Sequence, residues 1–345
     1  MPDGGTRGSV YSEPWVPPSV IFPSYKGPPQ TEDRMFEPMT EEYMDMKFAR
    51  LGAVGQEKPV VIAQDANGPE KYFSLGPLTK DIDGGFLATD GIVRTREALI
   101  RGELPEIQPG ELRIGSPVAR PGSVVCIGLN YAAHAAESGA TPPETPVVFL
   151  KPSNTVSGPF DATPIPPSSE KYDWEVELGI VIGREASYLS STDEAAGCIA
   201  GYVVGNDLSE RNYQMPGAAG QWTKGKSLPQ STPLGPWLVP ADQLDAGSLG
   251  LRTWVNGEVR QSSDTSDMVF DIYTIVHHLS QYMLLEPGDV ILTGTPEGVA
   301  MSGRFPYIQP GDVVELEVDG LGRQRQEYYR AQVAALAATG SADRT

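Results

Sequence analysis

Apolar positions in this chain come in short runs rather than long periodic stretches. Lys47-Phe48-Ala49-Arg50-Leu51-Gly52 alternates loosely between polar and apolar, as a half-buried strand does. Val60-Val61-Ile62-Ala63 and Lys71-Tyr72-Phe73-Ser74-Leu75 predict two further strands. Asp90 to Arg101, with Val93, Ala98, Leu99 and Ile100, predicts a short helix with Asp90 as its cap. Together these outline a small α+β domain over residues 46–120. From 121 to 330 the pattern is strand-rich, with runs at Val124 to Ile127, Val147 to Leu150, Glu175 to Ile182, Gly201 to Val204, Leu251 to Val255 and Val313 to Val318. The turns Glu286-Pro287-Gly288-Asp289 and Gln309-Pro310-Gly311-Asp312 each lead into such a run. Helical patterns are fewer: Tyr131 to Ser138, Thr192 to Ala200 capped by Ser191 or Thr192, and Met268 to Tyr282. The predicted class is α+β, mostly β, without βαβ alternation.

The two ends differ from this body. Residues 1–45 are rich in proline, with Tyr11, Trp15, Phe22 and Tyr25 scattered among them. Proline density forbids long helices there. Two readings stay open, a disordered tail or an arm that packs on its own body or on a neighbouring subunit. Residues 331–345 form a tail expected to fray. The formal net charge of -19 argues against nucleic acid and anionic membranes as partners, because both need clustered Lys and Arg. An acidic surface still permits an anionic small substrate if a few buried cations set the field in a pocket. Cys126 and Cys198 lie in apolar runs outside any CxxC pattern and read as small buried side chains. No apolar stretch is long enough to span a bilayer, and the N-terminus carries no signal pattern, so a cytoplasmic protein is expected.

Candidate chemistry starts with Glu175-Val176-Glu177 at the head of an apolar run. On a strand, residues two apart share a face, so the two carboxylates project together while Trp174, Val176 and Leu178 point away. Like charges side by side destabilise a strand unless something neutralises them, whether Lys, Arg, water or a divalent cation. Asp207 follows a second buried-looking strand. An all-oxygen set favours Mg²⁺, Mn²⁺ or Ca²⁺ over zinc, and with three histidines in the chain a zinc site is poorly supplied. His134 and Glu137 fall three apart on a short helix that Asn130 is placed to cap, so they share a face. Such a pair is either a surface ion pair or a general base with its orienting carboxylate. His277 and His278 read as structural, since adjacent helical residues face different sides.

Taken in order, these pieces resemble the fumarylacetoacetate hydrolase superfamily, in its sugar-acid and diketo-acid branch. The motifs that carry the resemblance are Gly128-Leu129-Asn130-Tyr131 with His134 and Glu137, Asp173 to Gly179, Gly205 to Arg211 with Gln214, Gly225-Lys226-Ser227 leading to Pro233-Leu234-Gly235-Pro236, and Thr293 to Val299. It spans about residues 46 to 330 and implies a mixed β-roll with peripheral helices, usually a homodimer. It implies that Glu175, Glu177 and Asp207 ligate Mg²⁺ or Mn²⁺ and that His134, oriented by Glu137, activates water. Arg211, Gln214 and Thr295 match substrate-binding positions, and Lys226 matches a lysine that stabilises developing negative charge. Lys151 is also family-like and is grouped with the substrate contacts. One stretch departs from the pattern: Ser227 to Thr232 lacks the acid that many members carry, which places substrate specificity near Leu228 to Thr232 and in the His134 helix.

The activity implied is hydrolysis of a C–C bond in a 2,4-dioxo acid of acylpyruvate or diketo-sugar-acid type, passing through a metal-bound enolate. A decarboxylase, tautomerase or dehydratase of 2-oxo acids would use the same site without water attack. A non-catalytic binding protein would lack a ligand or the base, and none is missing here.

Overall fold

The structure, a computed structural model, describes residues 45–64, 68–215 and 220–332. The expected arm up to residue 44 and the tail from residue 333 lie outside the described residues. The first layer is a four-stranded antiparallel sheet in the order Asp45–Leu51, Lys58–Gln64, Glu70–Ser74, Glu106–Ile107. The helices Gly84–Ala88 and Gly91–Ile100 accompany it. Asp83 caps the first, its carboxylate accepting from Phe86 N. Asp90 does not cap the second. Its backbone is left-handed, with φ 54°, and its side chain pairs with Arg184.

The second sheet has six strands in the order Val239–Pro240, Ile199–Asn206, Val176–Ile182, Val290–Leu292, Val124–Gly128, Val147–Lys151. All its pairs are antiparallel except Val290–Leu292 with Val124–Gly128. Both faces of this sheet are covered, which is why its strands read as continuous apolar runs. Val125, Ile127, Leu178, Ile180, Tyr202, Val204 and Ile291 belong to the main core. Their neighbours Val124, Cys126, Val181, Val203, Val290 and Leu292 pack on the other side with Met46, Phe48, Val61 and Phe73 of the first sheet. Cys126 and Cys198 are both buried free thiols.

A five-stranded sheet closes the main core, in the order Glu258–Asp264, Gly250–Val255, Val313–Val318, Gly322–Arg330, Thr163–Ile165. The architecture is therefore mostly strand, with short peripheral helices. The Pro-Gly-Asp turns form as the sequence predicts, with Asp289 accepting from Glu286 N and Asp312 from Gln309 N. The helix predicted to Ala200 stops at Ala196, because Ile199 already pairs in the sheet, and Ser191 caps it. The helix predicted over Met268 to Tyr282 is shorter, Ile272–Ser280, capped by Asp271. Among the described residues no helix is long and apolar enough to cross a membrane.

The strand Gly322–Arg330 points polar side chains inward. Gln324 is fully buried and donates from Nε2 to the carbonyls of Val204 at 2.7 Å, Gly235 at 3.0 Å and Pro233 at 3.2 Å. A buried amide that satisfies several carbonyls holds the segment after the Ile199–Asn206 strand against the five-stranded sheet. Gln324→Leu leaves those carbonyls without that donor and is expected to cost about 2–4 kcal/mol, read from the urea midpoint. An unchanged midpoint would show that the amide carries no structural role.

Candidate active site

The Val176–Ile182 and Ile199–Asn206 strands pair with Val176 opposite Asn206 and Glu177 opposite Gly205. Extending that register by one residue sets Asp207 across from Glu175, and Asp207 N donates to Glu175 O at 3.0 Å. Three carboxylates thereby meet at one end of a sheet that is buried on both faces. Glu175, Glu177 and Asp207 are each at most 4% exposed, and one oxygen from each lies within 4.8 Å of the others. Trp174, Val176 and Leu178 alternate into the main core on the opposite face.

Cations surround the trio. Lys226, from the helix Trp222–Lys226, donates to Glu175 Oε2 and Asp207 Oδ2, each at 2.5 Å. That helix packs closely on Arg211–Gln214, and Gly225 permits it: a Cβ there would sit 2.4 Å from the Gln214 Cβ. Arg211 Nη1 lies 2.8 Å from Glu175 Oε1, while its Nε donates to Asp173 Oδ2 at 2.9 Å and its Nη1 to Gln214 Oε1 at 2.9 Å. Asp173 also accepts from Ala300 N and Met301 N. It therefore ties Arg211 to the loop on the other side of the site. Gly294 N donates to Glu177 Oε2 at 2.8 Å.

These neighbours separate the carboxylates electrically. Burial alone would raise the Glu175 carboxyl, but Lys226 and Arg211 pull it down to about 2. Burial, followed by the charges of Asp207 and Glu175, pushes Glu177 well above the usual range. Burial works against the Lys226 ammonium, yet Asp207 and Glu175 hold its pKa above normal, so it stays charged. The donor set consists of carboxylate oxygens alone, converging and buried, which fits a hard divalent cation. Crowding at Glu177 is the repulsion such an ion relieves.

A cavity of about 420 Å³ opens over this floor, lined by Glu175, Glu177, Arg211, Gln214, Lys226, Thr295, His134 and Glu137 among others. His134 is 6% exposed, and its Nδ1 has no hydrogen-bond partner. Burial lowers its pKa from 6.5, partly offset by Glu175. Glu137 Oε2 is 3.7 Å from His134 Nδ1, inside ion-pair range but beyond a hydrogen bond. The Glu137 carboxylate is held instead by Gly298 N and Arg304. Thr295 lines the cavity, with its hydroxyl donated to Val176 O.

Three expectations need correction. Lys151 is not on the cavity wall; it is buried behind Asp207, donating to Asp207 Oδ1 at 2.6 Å and to Ser231 O at 2.7 Å. Asn130 does not cap the helix Ala132–Glu137. Its side chain bridges Phe270 and the Thr293 carbonyl, while Asp267 accepts from Ala133 N. Leu228 to Thr232 do not line the cavity either; Ser231 serves Lys151 and the Lys226 carbonyl. Two residues to which the sequence reading gave no role, Asp173 and Arg304, support the site from behind and from the rim.

The family model for the fumarylacetoacetate hydrolase C-terminal domain matches residues 123–328, more than half of the chain. The chain belongs to this family. A Burkholderia multivorans protein that carries a provisional hydrolase name is 45% identical over 287 residues, covering 81% of this chain and 98% of its own length. A 5-carboxymethyl-2-hydroxymuconate delta-isomerase of Mycobacterium smegmatis is 34% identical, with TM-score 0.65 over 83% of this chain and 100% of that one. A maleylpyruvate hydrolase of Sphingobium sp. SYK-6, solved with manganese(II) and pyruvate, is 26% identical, with TM-score 0.66 and the same two coverages, 83% and 100%. This chain is thus an enzyme of the fumarylacetoacetate hydrolase family, whose members include hydrolases and isomerases acting on oxo acids.

A cation bound only by the folded carboxylate trio raises stability by mass action, about 2.7 kcal/mol at a hundredfold excess over Kd. Mn²⁺ is expected to raise the melting temperature of the protein, and Glu175→Gln or Asp207→Asn to abolish that shift. If either variant keeps the full shift, the ion binds elsewhere.

Proposed function

We propose that the chain is a divalent-metal-dependent hydrolase of 2,4-dioxo acids that cleaves the C–C bond between the pyruvyl unit and the acyl group. The observation that carries the reading is convergence: three buried carboxylates cluster, and two of them, Glu175 and Glu177, line one cavity with His134, whose Nδ1 is unpartnered. The Mn²⁺ and pyruvate in the maleylpyruvate hydrolase structure support it.

Glu175, Glu177 and Asp207 would hold Mg²⁺ or Mn²⁺, which when bound supplies Lewis acidity toward a 2-oxo carboxylate. Arg211 and Gln214, joined to each other and anchored on Asp173, orient that carboxylate. His134 takes a proton from water as the oxygen attacks the distal carbonyl. The C–C bond then breaks, its electron pair passes to the pyruvyl unit, and the proton held by His134 is delivered to that carbon, completing pyruvate beside a free acid. Lys226 keeps a fixed positive charge next to the head of the cavity, where negative charge develops. Glu137, anchored by Gly298 and Arg304, supplies the carboxylate nearest to His134.

The isomerase among the similar structures favours a second reading, proton transfer on a 2-oxo acid without water attack. Product analysis separates the two. Pyruvate plus a second acid from an acylpyruvate supports hydrolysis, whereas an isomer of unchanged mass supports the alternative.

Under the hydrolytic reading, His134→Asn is expected to lower kcat by about 100- to 10,000-fold, measured as pyruvate release. The base works when neutral. Because burial lowers His134 from 6.5, activity is expected to persist below that pH and to fall only as pH drops through the lowered value. An acid limb above pH 6.5, or full activity in His134→Asn, contradicts His134 as the base.

A further inference from the structure

The cavity is lined by two unlike sets of residues. Its floor holds the acids, Arg211, Gln214 and Lys226. The rest of its wall is dominated by Leu129, Phe149, Met215, Trp222, Val299 and Met301. Among the described residues that line it, the cationic or protonatable nitrogens belong to Arg211, Lys226 and His134. Arg211 and Lys226 are already bound to the floor carboxylates. Arg304, outside the lining, is taken by Glu137. With Arg211 and Lys226 given to the floor and the substrate's head, and His134 kept neutral by burial, no further cation among the described lining residues is left for a second carboxylate.

The lining hydroxyls offer no free proton to substrate oxygens either. The hydroxyls of Thr295, Ser138 and Ser302 line the cavity, but each donates its proton to a protein carbonyl, those of Val176, His134 and Val299. The apolar wall is held firmly in place. A Cβ on Gly128 would lie 2.0 Å from the Trp222 ring, so the indole lies directly on the strand backbone. Phe149 meets Trp222 edge to face with centroids 5.5 Å apart, and the Lys226 ammonium sits 4.9 Å from the Phe149 centroid. Leu129 lines the cavity from a left-handed backbone, φ 55°, a conformation that branched L-residues rarely adopt.

We infer that the group beyond the distal carbonyl of the substrate is apolar and uncharged, so that the enzyme takes alkyl or aryl 2,4-dioxo acids in preference to dicarboxylates and sugar acids. This rests on the reading of the floor as a 2-oxo-acid site. Phe149 and Trp222 pack on the tail, Leu129 closes the wall beside them, and the carboxylate head stays at Arg211.

The experiment uses the full chain loaded with Mn²⁺ and two assays. Turnover is compared across 2,4-dioxo acids that share the pyruvyl head and carry methyl, propyl, phenyl or carboxylate-ended tails. The kcat/KM for propyl is expected to exceed that for methyl at least tenfold, and that for phenyl to exceed the carboxylate-ended acid by about 100-fold or more. Binding is measured separately by calorimetry with 2-oxo-4-phenylbutanoate and 2-oxoglutarate, which share the head and are not substrates for this cleavage. The phenyl compound is expected to bind at least about tenfold tighter. If nothing is cleaved but this binding order holds, C–C hydrolysis fails and the apolar tail stands. If the carboxylate-ended compound wins in either assay, the inference is overturned. Trp222→Ala is expected to erase the phenyl advantage while oxalate, which probes the head alone, keeps its affinity within about twofold. Equal weakening of both would also overturn the inference. Leu129→Arg, should Trp222→Ala fail to fold, is expected to shift preference toward the carboxylate-ended tail at least tenfold; an unchanged preference counts against the inference.

Discussion

Carboxylates packed within a few ångströms in a buried site repel one another, and that repulsion organises this structure. Asp173, Glu175, Glu177 and Asp207 are all buried, and Lys151, Arg211 and Lys226 are buried among them. Ion pairs of this kind seldom gain net stability over apolar packing, yet removing one partner is costly because it strands the other charge. The cluster therefore makes physical sense as a site rather than as a staple. The three cations leave one carboxylate uncompensated; burial raises both Asp173 and Glu177, and Glu177, with Asp207 and Glu175 beside it, is pushed well above the usual range. A divalent ion would complete the balance, and an anionic substrate would then meet a positive floor.

The fold supplies burial and register. The six-stranded sheet is covered on both faces, so side chains at the end of its inner strands sit in low dielectric even at the edge of a cavity. Antiparallel pairing brings Glu175 and Asp207 face to face from positions 32 residues apart in the chain. Asp173 extends the arrangement sideways by binding both Arg211 and the backbone of Ala300 and Met301. Arg211 and the opposite rim are thus held by one fully buried carboxylate.

Much of this was legible in the sequence because it rests on periodicity. The spacing of Glu175 and Glu177, and the apolar residues between and after them, place both carboxylates on one face without any structure. The Pro-Gly-Asp turns and the Ser191 cap are likewise local chemistry. What was not legible depends on partners distant in the chain. Gln324 and Gln326 look like exposed polar positions until carbonyls of other segments are found around them. Asn130 has the composition of a cap, but Phe270 and Thr293 claim its side chain, and Asp267 approaches the helix instead. Lys151 follows a strand like a ligand-binding lysine, yet the edge of the sheet turns it inward to Asp207. The loop that lacks the family's acid reads as a specificity element in sequence and is a support for two lysines in space.

The account rests on a cation at the three carboxylates, and a crystal of the protein soaked in Mn²⁺ and oxalate tests it directly through anomalous scattering. The expected result is one strong peak within about 2.0–2.3 Å of oxygens from Glu175, Glu177 and Asp207, with the Lys226 ammonium moved out from between Glu175 and Asp207. A peak elsewhere, or Lys226 still bridging those two carboxylates with no ion among them, would contradict the account.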